Sequence, residues 1–216
     1  MTQYLNTEKY YAGVGSRATP AGILSLMRNI ARELAKKGWT LRSGAADGAD
    51  SAFETGANEV QGFKEIFLPY KGFRGSSSTL HQPPSAEAEN MAAAVHPYFH
   101  RMAPDSFARK AHARNMHQIF GKNLATPVAF ALCWTPDGAE SVCDSKSIDI
   151  TGGTRSAIVA AANAHIPVFN LARSDGLHRL TYYVNHGTIL ERGGWEPDVN
   201  IIESIKKANP AKRLKS

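Results

Sequence analysis

The chain has 216 residues, 43% hydrophobic and 20% charged, a composition that fits one globular domain and excludes a disordered or low-complexity polypeptide. Its strongest apolar run, Pro127 to Trp134, is far below the roughly 18 residues of a membrane helix, and two cysteines are too few for a disulfide framework, so a reducing cytoplasm is the expected compartment. The net charge of +6 is concentrated in Lys206, Lys207, Lys212, Arg213 and Lys215, with no acid in residues 206–216; the nearly neutral remainder argues against a uniformly basic nucleic-acid-coating surface and leaves a basic tail, either a solubilising terminus or a salt-sensitive hold on phosphate backbone.

Met1 to Lys9 is polar and lacks the apolar stretch of a secretory signal. Lys9 to Val14 reads as a strand that enters a tight turn at Gly13-Val14-Gly15. Thr19-Pro20 predicts an N-cap followed by proline at the first helical position. Ile23, Leu26, Met27, Ile30 and Leu34 then keep helical spacing up to Gly38. Trp39 to Arg42 reads as a second strand, Asp47 to about Val60 as a second helix, and Lys64 to Leu68 as a third strand stopped by Pro69. Residues 70–84, with Gly72, Gly75, Pro83 and Pro84 around their serines, form a long loop of the kind that often serves as a lid. Helices are predicted at Ala86 to Val95 and Asp105 to Phe120, a buried strand at Pro127 to Trp134, a helix at Thr154 to Ala164 and a strand at Pro167 to Leu171. Leu177 to Val184 and Ile201 to Lys207 carry weaker helical patterns.

Strands alternating with helices imply a parallel sheet covered on both faces. Right-handed crossovers make this a single Rossmann-like, doubly wound α/β domain over residues 1–205, followed by the tail.

Ligands of such sheets sit beyond the carboxyl ends of the strands, where three turns should converge. In the first, Gly13 and Gly15 allow close backbone approach to an anion, while Ser16 adds a hydroxyl and Arg17 a bidentate cation. The third glycine of the dinucleotide fingerprint is missing, and no acid follows the second strand in the usual place. No nicotinamide cofactor is therefore expected. The second turn, Arg42 to Asp50, offers Ser43 and Gly44 to a ligand and Asp47 to the helix N-terminus. Asp50 and Glu54 lie one helical turn apart and can accept from ribose hydroxyls or act in acid–base chemistry; a capped helix with a solvated acidic face is the alternative. In the third, Gly152 and Gly153 precede Thr154 and Arg155, a phosphate cradle at a Thr-capped helix or a plain glycine turn.

The segments Ala12 to Arg17, Leu41 to Asp50 and Gly152 to Thr154 resemble the Rossmann-like core of DNA-processing protein A, in the SLOG superfamily that also holds the Lonely Guy phosphoribohydrolases. The resemblance runs over about residues 9–172 and is nearest to compact stand-alone members from phage and bacterial genomes, whose His-Pro segment and Arg-Asn helix are matched by His96-Pro97 and Arg114-Asn115. It implies a nucleotide or nucleic-acid phosphate bound over the three turns, and by analogy a homodimer. The catalytic Glu of the Lonely Guy enzymes has no counterpart: Thr154 is followed by Arg155, Ser156, Ala157 and Ile158. Glu54 stands where DNA-processing protein A has a His.

No metal site is expected from His96, His100, His112, His117, Cys133 and Cys143. No cysteine pair has structural spacing, and His112 and His117 are not four apart. Cys133 reads as a core residue. Arg101, Arg109 and Arg114 are candidate phosphate clamps, with Asn115 suited to a base or sugar edge. Asp137 to Asp149 reads as a mobile flap over the glycine pair. Three functions remain open: a nucleotide or nucleotide-derived ligand bound without turnover, the first reading; hydrolysis or transfer of a nucleotide N-glycosidic bond using Glu54 or Asp50; and single-stranded DNA binding of the DNA-processing type.

Overall fold

A computed structural model describes residues 9–81, 85–145 and 147–193. The tail of residues 206–216 and the helix expected at Ile201 to Lys207 lie outside them. In chain order the elements are β1 (Lys9–Gly13), α1 (Ala21–Lys36), β2 (Trp39–Ser43), α2 (Ala49–Asn58), β3 (Lys64–Ile66), α3 (Ala86–Val95), α4 (Phe107–Phe120), β4 (Phe130–Cys133), α5 (Ile148–Thr151), α6 (Arg155–Asn163), β5 (Val168–Asn170) and α7 (Gly176–His186). The five strands pair in parallel in the order β3-β2-β1-β4-β5. The chain starts at the centre, winds outward to β3, crosses back to β4 and winds outward again. That is the doubly wound α/β arrangement.

Side chains alternate across the sheet, so consecutive residues feed opposite cores. Tyr11, Phe130, Leu132 and Phe169 pack with α1, α2 and α7 through Met27, Ala31, Phe53 and Leu180. Ala12, Ala131, Cys133 and Val168 face α3, α4 and α6 through Ala92, Met116, Ile119, Ala157 and Ile158. The first core is built around Phe130, whose ring lies 5.0 Å from Trp39, 5.5 Å from Tyr11 and 5.9 Å from Phe169. Cys133 is fully buried in the second. Among the described residues no helix is long and apolar enough to cross a membrane.

The segment after β4 is not the flap expected over 137–149 at its near end. Thr135 through Glu140 are buried, and Asn170 at the end of β5 holds them with both ends of its side chain. Its Nδ2 donates to Thr135 Oγ1 (2.7 Å) and Ala139 O (2.9 Å), and its Oδ1 accepts from Thr135 N (3.3 Å). Glu140 in turn accepts from Asn170 N (2.9 Å) and from Arg179 Nη2 of α7 (2.5 Å). Arg179 also reaches Asp175 at 3.0 Å. Burial pushes the Glu140 carboxyl above its usual range even with these partners. Only beyond Glu140, at Val142 and Cys143, does the segment become exposed.

Removing one partner of a buried ion pair strands the other charge. Arg179→Met should therefore destabilise the fold by about 3–5 kcal/mol at neutral pH in urea titrations. Glu140 would be protonated still more readily without Arg179, so the deficit should shrink as the pH is lowered through the carboxyl range. An unchanged urea midpoint would remove the pair from this account.

Candidate functional site at the carboxyl edge of the sheet

The strand order reverses between β1 and β4, and the first turn fills that crevice. Val14 N donates to Leu132 O (3.1 Å) and Ser16 N to Trp134 O (3.4 Å), which ties the turn to the end of β4. Ser16 Oγ accepts from Ala18 N at 3.1 Å. Thr19 does not cap α1: its hydroxyl donates to Ser16 O at 2.6 Å, and Pro20 holds the cap position without a side-chain bond. The amides of Gly15 and Arg17 meet no acceptor among the described residues. The Arg17 side chain is exposed and makes no ion pair among them. The first turn of α1 contains no acid of its own to offset the positive end of that helix.

In the second turn the predicted residues are placed differently from one another. Ser43 is fully buried, and its hydroxyl donates to Gly13 O at 2.7 Å, fastening β2 to β1. Gly44 lies under the guanidinium of Arg114, which reaches over from α4. A β-carbon at residue 44 would sit 1.1 Å from Arg114 Nη1, so only glycine leaves that path open. Arg114 Nη1 is 3.5 Å from Asp50 Oδ2, both side chains being buried. Asp47 does not cap α2: Gly48 occupies that position at φ +85°, and the exposed Asp47 carboxylate pairs with Arg74. Asp50 and Glu54 share a helix face but not an environment. Glu54 is paired with Lys64 Nζ at 2.7 Å, down the helix toward the amino end of β3. Burial outweighs the attraction of Arg114 and pushes the Asp50 carboxyl up to about 6.

The third turn bends at Gly152, which leaves α5 at φ +66°, and is helical again by Thr154. Gly152–Thr154 is a 3-10 turn joining α5 to α6, and Thr154, already in helical geometry, makes no side-chain cap. Gly152 and Gly153 have open space where a β-carbon would be. Asn115 Nδ2 donates to Gly153 O (3.0 Å), while Arg155 turns to Val95 O (2.9 Å) and Ser145 Oγ (3.2 Å). Two adjacent residues of α4 therefore join two turns, Arg114 lying on Gly44 and Asn115 holding Gly153.

Of the other proposed clamps, Arg109 is paired with Glu89 at 2.5 Å and lies over Phe99, whereas Arg101 is exposed over the ring of Tyr98. Residues that sequence reasoning did not assemble include His96 and His112, whose rings are 4.3 Å apart. His112 Nδ1 and Ser156 Oγ are 2.8 Å apart, and burial holds His112 down to about 4, so it is neutral at pH 7. A cleft lined by Phe67, Leu68, Leu80, Lys110, Arg114 and His117 was also missed, although Lys110, Arg114 and His117 have the spacing of one helix face. Among the described residues no group of three or more histidines, cysteines or acids is placed to hold a metal ion.

The Asp50 pair carries a pH signature. A carboxyl raised by folding binds its proton more tightly in the folded chain, so its contribution to stability falls as the pH rises between its unfolded value near 4 and about 6. Asp50→Asn removes that dependence. Its stability relative to the unsubstituted chain should rise by up to about 3 kcal/mol between pH 4 and 7, read by urea unfolding across that range; a difference that does not vary with pH would contradict the assignment.

Residues 2–72, which contain the first two turns, match the family model described as DNA recombination-mediator protein A. No curated protein matches the chain. Among solved structures, DNA processing protein A from Helicobacter pylori, described in a study of its single-stranded DNA binding mode, is similar at a TM-score of 0.50 and 16% identity, over 93% of this chain and 80% of that one. The chain thus carries a Rossmann-like domain resembling that of DNA recombination-mediator protein A.

Proposed function

We propose that the chain binds single-stranded DNA along the carboxyl edge of its sheet, with a backbone phosphate seated on the first glycine turn. The observation that carries this reading is the pair of amides at Gly15 and Arg17 that meet no acceptor among the described residues, beside an exposed Arg17 side chain that pairs with none of them, inside the segment that matches the recombination-mediator family. Two N–H donors, a guanidinium fork and the positive end of α1 supply what a phosphodiester requires and read no base. The similar Helicobacter pylori protein, whose single-stranded DNA binding has been described, supports the same choice.

The other readings draw less support. The carboxylates that a glycosidic-bond reaction would use are engaged, Glu54 by Lys64 and Asp50 by Arg114. A free nucleotide would offer its phosphate to the same atoms, so length of the ligand distinguishes the two cases. The DNA reading expects affinity to rise from mononucleotide to oligonucleotide as further contacts are engaged.

Arg17→Ala should weaken binding of a labelled oligothymidylate and lower the slope of log affinity against log salt by about 0.7, the value for one phosphate contact on a single strand. The loss should be similar for other base sequences. Fluorescence anisotropy over a salt series reads both, and a slope that stays the same would remove Arg17 from the phosphate contact.

A further inference from the structure

Beyond the phosphate seat lies an aromatic cluster built from two distant segments. Tyr70 follows the end of β3, Phe73 lies in the 3-10 turn Phe73–Gly75, and Phe107 opens α4. The Tyr70 ring is 5.3 Å from Phe73, and Phe73 stacks on Phe107 at 5.6 Å with 28° between the planes. Phe73 is buried, but Tyr70 is 48% and Phe107 54% exposed. Large rings left in water beside one another mark a surface that something else covers.

The cluster is held in place. Phe107 is the first residue of a helix capped by Ser106, whose hydroxyl accepts from Arg109 N. Arg74, next to Phe73, is paired with Asp47. Asp47 precedes Gly48, which packs so closely on the first turn that a β-carbon there would sit 2.8 Å from Ser16 O and 2.9 Å from Arg17 Cα. Contact therefore runs without a break from the phosphate seat to the rings. Its electrostatics suit the same ligand: Lys71 is exposed and makes no ion pair among the described residues, and Lys110 lies one turn along α4 from Phe107, 3.9 Å from the fully exposed Asp105.

We infer that Tyr70 and Phe107 are a base-stacking platform for the strand whose phosphate sits on the first turn. Flat rings exposed between cations, at the end of a path from a phosphate site, match how unpaired bases are held without sequence preference. This inference rests on the DNA reading above and adds the place where the bases go.

The test compares two labelled strands of equal length, about 16 nucleotides, an oligothymidylate and an abasic strand of the same backbone. Tyr70→Ala and Phe107→Ala should each weaken oligothymidylate binding by about 5-fold or more and leave abasic binding within about 2-fold. Tyr70→Phe should retain wild-type affinity. Where an alanine variant melts early by circular dichroism, Phe107→Trp keeps the question open to measurement. Its fluorescence in excess of wild type should be quenched by the oligothymidylate and not by the abasic strand. Equal losses on both strands, or no loss together with no quenching, overturn the platform while the Arg17→Ala effect stands. A wild-type chain that binds neither strand overturns both this inference and the DNA reading.

Discussion

The carboxyl edge of this sheet is organised by one side chain, that of Arg114, laid across the backbone of Gly44. The guanidinium reaches from α4 over the end of β2, meets Asp50 of α2, and approaches the carbonyl of Phe67 beyond β3 at 3.5 Å. Helices on opposite faces are thereby fixed to each other past the end of a strand. With the guanidinium in this place residue 44 has to be glycine, and the buried charge requires a counter-charge, since an isolated buried guanidinium would be very unfavourable. Because Asn115 follows Arg114, the same turn of helix also sets the carbonyl of Gly153.

A division of labour among the charges follows. Arg42 is buried in β2, bonded to Glu65 and Thr126 O at 2.5 Å each and stacked on Tyr10. Arg109, Arg114 and Arg179 each face a carboxylate. These residues stabilise the fold, and their charge is largely answered within it. Arg17 is left exposed beside amides that meet no acceptor among the described residues, and Lys71 beside rings that are half exposed. A basic count taken over the whole chain conceals this, because binding depends on where unanswered charge remains rather than on its sum.

Local pattern carried the architecture well. The alternation of strand and helix led to the parallel doubly wound sheet, and the helix expected at Ala86 to Val95 has those limits. The turns were less legible. Thr19 and Asp47 have the chemistry of caps, but capping depends on backbone dihedrals, and Pro20 and Gly48 occupy the cap positions instead. Gly152-Gly153-Thr154 has the composition of a phosphate loop, but the expected Thr154 cap is absent: Gly152 breaks the path from α5 at φ +66°, and Thr154 is already helical. Arg114 was identified as a clamp without its counter-charge, since nothing near it in the chain announces Asp50. The rings of Tyr70 and Phe107 meet only because β3 ends and α4 begins at the same edge, and no periodicity within either segment records that meeting.

The central claim is that a nucleic-acid phosphate occupies the first turn, and amide hydrogen exchange tests it most directly. Amides that meet no acceptor among the described residues gain one when the phosphate binds. Exchange at Gly15 and Arg17 should therefore slow when a single-stranded oligonucleotide is added, while exchange within α6 and β5 stays as it was. Oligonucleotide binding that leaves exchange at residues 13–18 unchanged would place the ligand elsewhere and contradict the account.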